Sequence, residues 1–231
     1  MASENGPKQK LMIVARAILN GFLALVSFGL SLFLPAGTLG FRNAWLFLGI
    51  FVIGLVTVLV YFALTNSEYA RKRLQANEQE KPQRIVMASL ILAALAMLIV
   101  AGLDHRYRWS RVPVPLVVVA AVIMTASLVM VFIVMKQNAY ASRVVEIQQH
   151  QKLIDTGTYS IVRHPMYLAF SILFCVSPIV LGSFFSLIPA ACIPVLLTFR
   201  IRNEEQVLSK GLAGYDQYMK KVKYRLIPFV W

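Results

Sequence analysis

Acidic residues are scarce in this sequence: ten Asp and Glu stand against 23 Lys and Arg in 231 residues. All charged residues together make up 14% of the chain, where a soluble domain carries about 25%. So little charge excludes a water-solvated surface around the whole chain. Cysteine is rarer still. Cys175 and Cys192 both lie in apolar stretches, form no CxxC pair and imply no disulfide framework. The three histidines, His105, His150 and His164, lack metal-ligand spacing, so no metal site is expected. Neither GxGxxG nor GxxxxGK[ST] occurs, and a nucleotide-binding fold of the soluble type has no support. No basic patch interleaved with aromatics exists outside the loops. The net charge of +13 therefore does not read as nucleic-acid binding.

What the chain has instead is long uncharged runs, and 58% of its residues are hydrophobic. Four blocks, Ala17 to Leu34, Ala44 to Leu64, Ile85 to Leu103 and Val112 to Met135, each suffice to cross ~30 Å of hydrocarbon as a helix. A cleaved signal peptide is the rival reading of the first block. The run is long for one, and Pro35-Ala36-Gly37 is a poor cleavage site. A fifth run, Pro165 to Phe199, would be ~52 Å long as one helix, too long for the bilayer core. Gly182-Ser183 at its middle, with Pro178, Pro189 and Pro194 around it, predicts two short arms joined by a tight turn.

The expectation is an all-α integral membrane protein of about six transmembrane helices. The last two form a tight hairpin, and a cytoplasmic helical tail follows. With a cytoplasmic N-terminus, nineteen Lys and Arg fall inside and four outside, namely Arg42, Arg106, Arg108 and Arg111. Both termini are therefore expected in the cytoplasm. The chain reads as a single domain, with a four-helix membrane part over residues 1–135 and a cofactor-binding catalytic part over residues 136–231. The basic loops are placed to meet anionic headgroups of membrane lipids.

Two polar segments fall on the same predicted side. In the first, Arg163-His164-Pro165 marks a helix start, because Pro suits the first turn. Free N–H groups, the helix dipole, Arg163 and His164 all favour an anion there. A snorkelling arginine at the interface is the plainer alternative. In the second, Arg200 and Glu204 are four apart, as are Ile201 and Glu205. Local pairing of Arg200 with Glu204 explains one carboxylate and leaves Glu205 less well explained. Two adjacent carboxylates beside a membrane helix are costly unless they face water, a cation or a ligand. S-adenosylmethionine would suit both segments: Arg and His its carboxylate, Glu its diol or ammonium, and the rings of Tyr159 and Tyr167 its sulfonium.

At these residues the chain resembles the isoprenylcysteine carboxyl methyltransferase family and related membrane phospholipid methyltransferases. The resemblance runs through Gly157-Thr158-Tyr159, Arg163-His164-Pro165-Met166-Tyr167, Arg200 with Glu204-Glu205, Gly214-Tyr215-Asp216-Gln217-Tyr218 and Arg225-Leu226-Ile227-Pro228. It departs at Thr158, where the family often has Pro, and at Leu168-Ala169, where a Gly is common. Neither change removes a polar ligand. The resemblance implies a cofactor pocket for S-adenosylmethionine made by Tyr159, Arg163, His164, Tyr167, Arg200, Glu204 and Glu205, with His150 a weaker member. Among these, Arg163, His164 and Glu204 are the candidate catalytic residues. It also implies a lipophilic or lipidated acceptor entering from the bilayer. That acceptor is an isoprenylcysteine-type carboxylate in one reading, and a phospholipid amine or a thiol in another.

Three other classes compete, one of them a non-enzymatic scaffold, which would leave the Arg163-His164-Pro165 and Glu204-Glu205 constellation without purpose. A small transporter places charges in the bundle at mid-membrane, and these blocks carry none past Arg16. A sterol-reductase-like enzyme would bind a nicotinamide cofactor in a comparable pocket, but such chains are usually longer.

Overall fold

The computed structural model describes residues 7–65, 81–138 and 151–231. All their regular structure is helical: α1 (Pro7–Ala36), α2 (Arg42–Thr65), α3 (Lys81–Tyr107), α4 (Val114–Gln137), a 3-10 turn (Gly157–Ser160), α5 (Pro165–Val180), α6 (Leu187–Gly211) and α7 (Tyr215–Lys221). In lipid the backbone must satisfy its own hydrogen bonds, and an uncharged run does so by staying helical. Four segments are long and apolar enough to cross a membrane: Ile18–Ala36, Arg42–Phe62, Gln83–Tyr107 and Val114–Gln137. Large apolar side chains such as Ile53, Leu92 and Val122 stand exposed on their outer faces. The chain is an integral membrane protein.

At most ends the helices outrun the apolar blocks read from the sequence by one to four residues, because hydrogen bonding continues into the polar boundary, and α1 begins ten residues ahead of its block, at Pro7. The fourth is the exception at its start. Pro113 caps α4 in an extended conformation (φ −61°, ψ 141°), so the helix begins at Val114 rather than Val112.

α1 packs on α2 and α3, α3 on α6, and α4 on α5, while α5 and α6 pack on each other. Leu32, Phe47, Met97, Leu98, Met124, Leu173 and Leu181 build the shared core. Contact between α1 and α3 is backbone-close at Gly102. A Cβ there would stand 2.5 Å from the Leu32 carbonyl oxygen, a distance no side chain tolerates.

The long fifth run breaks between Val180 and Leu187. Gly182 takes φ 77°, which any other residue adopts only with strain. Pro178 and Pro194, expected beside the break, lie inside α5 and α6. Packed neighbours and hydroxyl groups make such prolines tolerable in apolar helices. The break is fastened to the end of α3. Asp104, buried there, accepts hydrogen bonds from Ser110 N (2.7 Å), Ser110 Oγ (2.6 Å) and Ser183 Oγ (2.5 Å). At the opposite end of α3, Gln83 Oε1 accepts from an Arg200 guanidinium nitrogen at 3.2 Å. The two fastenings are separated by ~32 Å of helix. α6 therefore carries Arg200 and the residues after it to the end of the bundle remote from the break.

Candidate functional site

α6 continues as an unbroken helix past Phe199, so the polar residues after it ride on a rigid element. Arg200 and Glu205 are both buried, at 4% and 6% exposure. Buried charges need partners, and each finds them far along the sequence.

Glu205 is the centre of one group. Its Oε1 lies 2.9 Å from Arg163 Nε and 3.3 Å from His164 Nε2, and its Oε2 accepts from Arg225 Nε at 2.7 Å. Arg163 and His164 are themselves buried, whereas Arg225 is partly exposed and rests against the Trp231 ring, 5.2 Å from its centroid. Burial alone would raise the Glu205 pKa. Hydrogen bonds from His164 and Arg225, with the charges of His164 and Arg163, outweigh it and hold the carboxyl below its ordinary value.

Glu204 belongs to a second group. Arg200 Nε donates to Tyr167 Oη at 2.9 Å, and Tyr167 Oη donates to Glu204 Oε2 at 2.6 Å. The four-residue spacing predicts local pairing of Arg200 with Glu204; Tyr167 bridges them. Its ring stacks on that of His164, 5.7 Å between centroids, and so joins the two groups.

The helix start at Arg163-His164 is made as the sequence suggests, with His164 at the cap and Pro165 in the first turn. The N–H groups of Arg163 and His164 themselves are already engaged, however. Arg163 N donates to the Tyr224 carbonyl and His164 N to the Arg225 carbonyl, both at 2.9 Å. A buried helix end must find such partners. Residues 224–231 supply them from a compact turn closed by Trp231, whose carbonyl accepts from Leu226 and Ile227. The anion that Arg163 and His164 hold here is Glu205.

Tyr159 stands one step away. Its hydroxyl takes a hydrogen bond from Asn138 Nδ2 at 3.0 Å, and its carbonyl accepts from Tyr218 Oη at 2.7 Å. His150 lies outside the described residues. The structure thus gathers Arg163, His164, Tyr167, Arg200, Glu204 and Glu205 into one polar cluster, with Tyr159 at its border. Sequence reasoning missed two members. Gln83 had the signal of being a lone amide at the start of an apolar block, and Arg225 stood in a quoted motif without a role. Among the described residues no group of three or more His, Cys, Asp or Glu is placed to hold a metal ion.

A helical membrane protein with an ionic cluster of this kind at one end of its bundle defines the class. Within it, residues 116–210 match the model of the Isoprenylcysteine carboxyl methyltransferase (ICMT) family. The match runs from α4 nearly to the end of α6. It includes Tyr159, Arg163, His164, Tyr167, Arg200, Glu204 and Glu205, and leaves Gln83, Tyr215 and Arg225 outside. Comparison with curated proteins gives no match. The match suggests a membrane methyltransferase. Enzymes of the family generally use S-adenosylmethionine and act on lipidated substrates in membranes.

Proposed function

We propose that this chain transfers a methyl group from S-adenosylmethionine to a lipophilic acceptor at the cytoplasmic face of the membrane. The observation that carries the reading is the meeting of Arg163, His164, Tyr167, Arg200, Glu204 and Glu205 at one end of an apolar bundle. Two arginines stand beside two carboxylates in this cluster, with a histidine and a tyrosine hydroxyl, so the residues present offer partners for both ends of a zwitterionic cofactor. In this reading Arg163, His164, Arg200 and the tyrosines hold the cofactor with Glu204 and Glu205. When bound, the cofactor supplies an electrophilic methyl carbon on a sulfonium.

The protein's part is to align the acceptor with that carbon and to keep water out. A carboxylate acceptor is ionised at neutral pH and needs no base. For an amine or thiol acceptor, Glu204 is the candidate base, because its partner is a tyrosine hydroxyl rather than a buried cation. His164 is less free for that role, since its Nε2 faces Glu205. Of the three residues named as catalytic, Arg163 and His164 then act by holding, and Glu204 alone is open to proton transfer.

Architecture supports the same reading. α5 and α6 run between the cluster and the break fastened at Asp104, which supports a reading of six crossings in which the last two form a short hairpin. The excess of nineteen Lys and Arg over four supports a cytoplasmic side for the cluster and both termini. Residues 1–135 then serve as the membrane part of one domain, and residues 136–231 as its cofactor-binding part. Membranes containing the protein, given methyl-tritiated S-adenosylmethionine, should pass label into an organic-soluble product. Glu204→Gln membranes should not. Label appearing equally in both would contradict the proposed site.

A further inference from the structure

Gly214, at φ 83°, turns the chain sharply ahead of α7. The turn brings Tyr215 and Tyr218 inward, where they pack with Leu212 and Val222. The two rings lie 5.8 Å apart and are equally buried, but their hydroxyls fare differently. Tyr218 Oη donates to the Tyr159 carbonyl. Tyr215, only 3% exposed, has a hydroxyl with no hydrogen-bond partner.

A buried hydroxyl without a partner is disfavoured, and its presence in a folded protein asks for a reason. Its surroundings supply one. Burial, then the charges of Glu205 and Glu204, push the Tyr215 pKa upward, with Arg163 opposing. The hydroxyl therefore keeps its proton and lies within the field of the cluster. Arg163 Nε, although 2.9 Å from Glu205 Oε1, also lacks an acceptor aligned with its N–H. Two buried donors, near the same carboxylates, are left without aligned acceptors.

We propose that Tyr215 is a ligand-contacting residue, whose hydroxyl donates a hydrogen bond to the carboxylate of the bound cofactor beside Arg163. The inference rests on the methyltransferase reading and extends its pocket onto α7, beyond the matched segment. An anionic oxygen would give the Tyr215 hydroxyl the acceptor it lacks, and a charge-assisted bond is the strong kind. The charges of Arg163 and Arg225 offset the repulsion from Glu205.

The test is Tyr215→Phe in the full-length protein, read by melting temperature without ligand and by calorimetric titration. The probes are S-adenosylhomocysteine, which has the carboxylate, and 5′-methylthioadenosine, which lacks the amino-acid portion. The variant should melt at the wild-type temperature or above, because the change removes an unsatisfied polar group. It should bind S-adenosylhomocysteine about tenfold to a hundredfold more weakly. Its affinity for 5′-methylthioadenosine should be that of the wild type. Unchanged affinity for S-adenosylhomocysteine overturns the proposal while leaving the cofactor reading intact. Equal weakening for both probes overturns the carboxylate contact. A lower melting temperature without ligand means that the hydroxyl has a structural partner, and overturns it too. Wild-type protein that binds neither probe removes the cofactor reading itself.

Discussion

Replacing Glu205 by Ala removes the common partner of Arg163, His164 and Arg225. Arg163 and His164 are 8% and 5% exposed, so neither finds water when the carboxylate is gone. Arg225 is about a third exposed and recovers hydration easily. The cost therefore lies in two buried groups stranded without a counter-charge. Breaking a buried pair in this way costs about 3–5 kcal/mol. Total stabilities are about 5–15 kcal/mol, so the loss is a large share. For a chain of this length it corresponds to a fall of about 6–20 °C in melting temperature. Thermal unfolding in detergent, followed by circular dichroism, measures it. Arg225→Ala should lower the midpoint by clearly less than Glu205→Ala. A Glu205→Ala protein that melts with the wild type, or an Arg225→Ala protein that is the less stable of the two, would refute the reasoning.

The same carboxylate predicts a pH dependence. The Glu205 pKa is lowered in the fold from 4.5, so its contribution is present above that value and is lost as pH falls through the folded pKa. The wild type should lose stability on acidification below about pH 4.5, and Glu205→Gln should lose less across the same window. At the other group, Gln83→Leu leaves an Arg200 N–H without its amide acceptor, which costs about 1–3 kcal/mol. S-adenosylhomocysteine should also bind it more weakly, because Arg200 positions Tyr167 and, through it, Glu204. Asp104→Ala strips the acceptor from Ser110 and Ser183 at the far end of α3. It should lower the melting temperature by an amount like that of Gln83→Leu, with ligand affinity unchanged in the protein that remains folded.

The contrast between those two variants reflects what the sequence encodes locally. Uncharged runs of about twenty residues state their own length and solvent, so the first four helices were legible almost to their ends. Gly182 marked the break because only glycine takes that backbone angle cheaply, and Pro165 marked the start of α5. The polar residues of the cluster were legible as a set, since carboxylates and an Arg-His pair beside apolar helices demand an explanation. Their pairing was not. Glu205 meets His164 across 41 positions and Arg225 across 20, and no periodicity reports contacts at such range. Gln83 was hidden for the same reason: a buried amide looks like any boundary residue until Arg200 is placed against it. The N–H groups of Arg163 and His164 looked open to an external anion because the segment that accepts from them, residues 224–231, lies sixty residues further on.

Calorimetric titration of the detergent-purified protein with S-adenosylhomocysteine tests the central claim most directly. The account predicts saturable binding at micromolar concentration that is lost in Glu204→Ala and in Arg163→Ala. A folded, monodisperse wild-type sample that releases no heat of binding would contradict it.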